Sequence, residues 1–65
     1  VGDLHALSSE DKARAEAKAL EAKFKFKAED YAGAATLFLQ AFTVSRSPAL
    51  LYNAARAFEE AGKLK

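Results

Sequence analysis

Residues 30–62 read DYAGAATLFLQAFTVSRSPALLYNAARAFEEAG, and the break near their middle decides the fold. Ser45, Arg46 and Ser47 are polar, and Pro48 follows them directly. Serine accepts well from the free N–H groups that open a helix, and proline suits the first helical position, where its missing N–H removes no hydrogen bond. One helix therefore ends here and another begins. Before the break, Asp30 caps a helix over residues 31–44 whose buried side carries Ala34, Ala35, Leu37, Phe38, Ala41 and Phe42, with Gly33 fitting a close contact. After it, a helix over residues 48–61 carries Leu51, Ala54, Ala55 and Phe58 at spacings of three and four, and Gly62 supplies a left-handed C-terminal stop.

Toward the N-terminus, residues 10–28 consist almost wholly of strong helix formers, Ala, Lys, Glu, Arg and Leu, which predicts a long first helix. Ser8 is placed to cap it, with Asp11 putting negative charge at its positive end. Two apolar stripes run along this helix, one of Ala13, Ala17, Leu20, Phe24 and Ala28, the other of Ala15, Ala19, Ala22 and Phe26. Two apolar faces imply two neighbours. Residues 1–9 lack periodicity and read as a leader, and a chain that opens on Val1 without any methionine is expected to be a processed or excised piece. No strand signal occurs, so the expected fold is all-α, with three helices.

At 65 residues the chain makes one domain, near the size where a single core holds a fold only marginally. Apolar residues are 51 % of it, but alanine supplies much of that share and buries far less area than Leu or Phe, so the expected core is thin. There is no cysteine, which removes disulfides, thiolate chemistry and Cys-based metal sites. The compartment is left open. A net charge of +1 is too weak a bias to argue for nucleic acid or an anionic membrane, and the longest uncharged stretches, residues 31–45 and 47–55, are too short and polar to span a bilayer.

Antiparallel helices with small residues where they cross suggest a helical repeat with a period in the thirties. Asp30, Tyr31, Ala34, Phe38 and Ala41 resemble the second helix of a tetratricopeptide repeat (TPR), and Leu51, Ala54, Ala55 and Phe58 resemble the first helix of the next one, continued through Gly62 and Leu64. The lag from Tyr31 to Leu64 is 33 residues, close to the family period of about 34. In the first helix Ala19, Ala22 and Phe26 match the pattern one residue out of register, since counting back from Tyr31 calls for Lys18, Glu21 and Lys25. Arg46 stands where the family usually has proline, which implies a slightly altered turn. The resemblance implies a three-helix antiparallel α-solenoid fragment of about one and a half repeats.

Such repeats bind an extended or helical peptide along the face formed by their first helices. By resemblance, the positions facing that groove are near Ala19, Lys23, Phe26 and Lys27 on the first helix and Tyr52, Asn53 and Arg56 on the third. Lys23, Lys27 and Arg56 would then form a basic patch for an acidic peptide or a C-terminal carboxylate, with Asn53 donating to the peptide backbone. The family's carboxylate clamp is not reproduced, because the preceding first helix offers Ala19 and Lys23, or Leu20 and Phe24, where the clamp needs Lys and Asn. Leu51, Ala55 and Phe58 would lie exposed in the absence of a further helix and form an apolar interface.

Other chemistries find little in the sequence. Phe24 and Phe26 alternate with lysines, but residues two apart lie about 200° around a helix and are expected to serve two different neighbours rather than one base-stacking platform. His5 is the only histidine and has no partners at metal-ligand spacing. Adjacent carboxylates at Glu10–Asp11 and Glu59–Glu60 point apart, and no nucleophile–base pair stands out. The expectation is a non-catalytic adaptor or scaffold without cofactor or metal, binding protein or peptide and neither nucleic acid nor membrane. The alternative is a structural segment that self-associates or caps a longer helical array.

Overall fold

The computed structural model of the chain describes residues 9–63. The leader through Ser8, including His5 and the expected Ser8 cap, lies outside the described residues, as do Leu64 and Lys65. The described chain is all-α: α1 spans Ser9–Lys27, α2 Tyr31–Ser45 and α3 Pro48–Lys63. Among the described residues there is no strand.

Local chemistry accounts for each end. Glu10 and Asp11 sit in the first turn of α1 and Lys25 and Lys27 in its last, which matches the helix dipole at both poles. The exit from α1 is a Schellman turn. Glu29 takes φ 65°, its N–H donates to the Phe26 carbonyl at 3.0 Å, and the Asp30 N–H donates to the Lys25 carbonyl at 2.8 Å. Asp30 then caps α2 by accepting from the Gly33 N–H at 3.1 Å, while its other carboxylate oxygen lies 3.7 Å from Lys25 Nζ. A methyl group at Gly33 would approach Asp30 Oδ2 to 2.5 Å, so the close contact expected there is with the helix's own cap. At the far end Arg46 takes φ 59°, donates its N–H to the Phe42 carbonyl at 2.7 Å and lays its guanidinium 5.8 Å from the centre of the Phe42 ring. The turn at Arg46 is thus a left-handed cap, followed closely by Pro48 in the first turn of α3.

α2 is the middle helix, packed against α1 on one side and α3 on the other. The contacts are made at small residues: Ala22 of α1, Ala34 and Ala35 of α2, and Ala54 and Ala57 of α3 join Phe38 in one buried cluster. Phe26, Leu37, Leu39 and Leu50 close over it from the edges. Lys18 Nζ donates to Gln40 Oε1 at 3.0 Å and ties the outer flank of α1 to α2. Phe38, at 3 % exposure, is the one large side chain in the buried core of the described residues.

Two expectations need correction, for the first helix and for Gly62. The α1 stripe of Ala13, Ala17, Leu20, Phe24 and Ala28 faces solvent, and only the stripe through Ala15 and Ala22 is buried, because an end helix has one principal neighbour. On α3 the buried residues are Ala54 and Ala57, with Leu50 packed beside them, and Leu51, Ala55 and Phe58 are exposed, as the sequence led one to expect. Gly62 is no left-handed stop, since it has no positive φ and the helix runs through it to Lys63.

Two outcomes follow for stability, which for 65 residues should be about 3–10 kcal/mol. Phe38→Ala should cost about 3–5 kcal/mol and abolish a cooperative melt followed by circular dichroism. Glu29→Gly should raise Tm by about 4–8 °C, relieving roughly 1 kcal/mol of left-handed strain, and Arg46→Gly should raise it less because the Phe42 contact is lost with the strain.

Candidate functional site

One side of the bundle holds a depression of about 300 Å³ between α1 and α3, at the lower end of the range usual for ligand sites. Its construction follows from helical geometry. On α1, Lys23 and Lys27 are four residues apart and stand one turn above the other, with Phe26 beside them on the flank that turns toward the core. On α3, Asn53 and Arg56 are three residues apart and face the same space. Phe38 of α2 reaches it from the buried cluster, and Leu20 and Phe24 form its outer α1 wall.

Phe26 is held from two sides. The Arg56 guanidinium lies 5.6 Å from its ring centre, and the Tyr31 ring meets it edge-on at 4.9 Å and 76°. A cation above the ring face and an aromatic edge against it both suit the ring quadrupole, so the half-buried ring is preset as a wall. Cationic charge at the rim remains uncompensated. The ion pairs among the described residues, Arg14–Asp11, Lys25–Asp30 and Lys63–Glu60, include none of Lys23, Lys27 and Arg56.

Five side chains expected at a groove therefore come together: Lys23, Phe26, Lys27, Asn53 and Arg56. Tyr52 does not line this depression. It is 65 % exposed, because its position one residue before Asn53 turns it about 100° further round α3. Ala19 lies instead in a second, shallower hollow of about 350 Å³ with Lys12, Glu16 and Leu50. Leu20, Phe24 and Phe38 line the groove without having been expected there, although Leu20 and Phe24 carry a visible signal in their i, i+4 apolar pairing. Among the described residues Phe24 has no second helix packed over it. At 64 % exposure it stands at the rim of the same depression whose wall is Phe26, so the two rings share one site as different surfaces.

Leu51 and Phe58, 47 % and 54 % exposed, continue with Ala55 along a separate side of α3. Among the described residues no three His, Cys, Asp or Glu side chains gather as a metal site, and no helix is long and apolar enough to cross a membrane. No family model, curated protein or solved structure matches the chain.

The Arg56–Phe26 contact links α1 to α3 across the groove and should be measurable. A double-mutant cycle of Arg56→Ala and Phe26→Leu, read by thermal or urea unfolding, should give a coupling of about 0.5–1 kcal/mol, as for other exposed cation–π pairs.

Proposed function

We propose that the chain is a non-catalytic protein-interaction module of the tetratricopeptide type, in which the groove between α1 and α3 receives a segment of a partner protein. The observation that carries this reading is the convergence of Lys23, Lys27, Asn53 and Arg56 around an apolar hollow walled by Phe26 and Phe38. Each polar group there can donate, three of them are cationic and only the Asn53 amide can also accept, and they form no nucleophile–base pair of the kind acyl or phosphoryl transfer requires. An apolar hollow with a donor rim suits a peptide that carries acceptors and negative charge. Alanine at the crossings, a central second helix and first helices lining one face agree with the family's packing, which supports the resemblance drawn from residues 30–62.

A second reading rests on a different observation, the solvent-facing stripe of Leu51, Ala55 and Phe58 on α3. There a further helix, from a longer array or a second copy of the chain, would bury what now faces water. Nucleic acid is disfavoured by the net charge of +1 and would require affinity that falls steeply with salt.

Selection of binders from a random peptide display library on the immobilised chain separates the two. Groove binders should lose at least about tenfold in affinity to the Lys23→Glu/Lys27→Glu variant, whose Tm should stay within about 3 °C of the parent, since exposed lysines contribute little to stability. A concentration-dependent dimer in sedimentation, abolished by Phe58→Ala and with no charge-sensitive peptide recovered, would transfer the function to self-association.

A further inference from the structure

The shape and charge of the groove define its occupant more narrowly, on the premise that the groove is the binding site. A hollow of about 300 Å³ is too small for a helix of about 10 Å diameter to settle into, but it has room for one bulky side chain. Its walls at the bottom, Phe26 and Phe38, are aromatic and already fixed in place by Arg56, Tyr31 and the core cluster. The cations do not converge on one point. Lys23 and Lys27 lie along α1 with an axial separation of about 6 Å, and Arg56 stands across the hollow on α3. One carboxylate cannot use them all.

In an extended chain, residues i and i+2 project on the same side about 6.6 Å apart, while residue i+1 projects on the other. That repeat matches the Lys23–Lys27 spacing. We infer that the groove recognises an extended, internal acidic segment of the form acidic–bulky apolar–acidic. Its two carboxylates run along Lys23 and Lys27 on the α1 rim, and its central side chain, projecting from the other side of the strand, enters the hollow toward Phe38 and the α3 wall. Asn53, at the α3 edge, is placed to donate to the segment's backbone, which has free acceptors when extended. Charge complementarity selects this occupant over a second copy of the chain, because the exposed stripe of α3, Leu51, Ala55 and Phe58, is helical and adjoins a single carboxylate, Glu59, where the two lysines call for a pair.

The test uses the 65-residue chain and a set of peptides acetylated and amidated at their ends, identical except for a central triplet, with binding followed by amide shifts and fluorescence anisotropy. Glu–Phe–Glu should bind and shift the amides of Phe26, Phe38 and Asn53. Glu–Ala–Glu should bind at least tenfold more weakly through loss of the buried ring, and Gln–Phe–Gln about tenfold more weakly with less dependence on salt. Against Lys23→Glu/Lys27→Glu the advantage of Glu–Phe–Glu over Gln–Phe–Gln should vanish. Equal affinity of Glu–Phe–Glu with either control overturns the inference. So does tighter binding by a peptide ending in Phe with a free carboxylate, which would make the site a reader of chain ends. If Glu–Phe–Glu fails to bind while library-selected peptides still occupy the groove, this inference falls and the interaction reading survives; if no peptide occupies the groove, both fall.

Discussion

At the two crossings of α2 the chain places alanine: Ala22 from α1, Ala34 and Ala35 from α2, Ala54 and Ala57 from α3. A methyl group lets helix backbones approach closely, which brings many weak dispersion contacts, but it buries little area compared with leucine or phenylalanine. The larger side chains are consequently forced to the edges of the contact. Phe38 is the exception, seated where both neighbours of α2 reach it, and it carries a share of the core out of proportion to its number.

The same constraint produces the surface. A middle helix buries a wide arc, and α2 does, from Leu37 through Phe38 to Leu39. An end helix buries a narrow one. Leu20 and Phe24 on α1 and Leu51 and Phe58 on α3 are left facing water, although nothing in their composition distinguishes them from core residues. Where such residues flank a gap between the two end helices they become the wall of a groove, and on the outer side of α3 they form an exposed apolar stripe. The apolar surface is thus built from the side chains that a three-helix stack has no room to bury.

Charge is sorted by helical face in the same way. Lys18 and Lys25 lie on the side of α1 that approaches α2 and its capping turn, and they are taken up by Gln40 and Asp30. Lys23 and Lys27 lie nearly half a turn further round and border the groove, where no carboxylate among the described residues forms an ion pair with them. Arg56 reaches back over Phe26 from α3, so one cation both braces the wall and adds to the field at the rim. Four lysines of nearly adjacent number therefore have two different roles, set by 100° steps around a helix.

The all-α class, the two turns and the helix limits to within two residues follow from local chemistry alone: Asp30 ahead of Tyr31, Ser-Arg-Ser before Pro48, and helix formers between Glu10 and Lys27. These signals act over three or four residues, which is why they can be read without the fold. Lys23, Phe26, Lys27, Asn53 and Arg56, which the family resemblance set on one face, do line one hollow. Tertiary structure decides which of two equally apolar stripes on α1 is buried, that α3 turns Ala57 inward beside Ala54, and that Tyr52 stays outside the groove. It also decides Gly62, which stays within α3 without a positive φ. Amphipathic periodicity states that a face is apolar; only the position of the neighbouring helix states whether that face is covered.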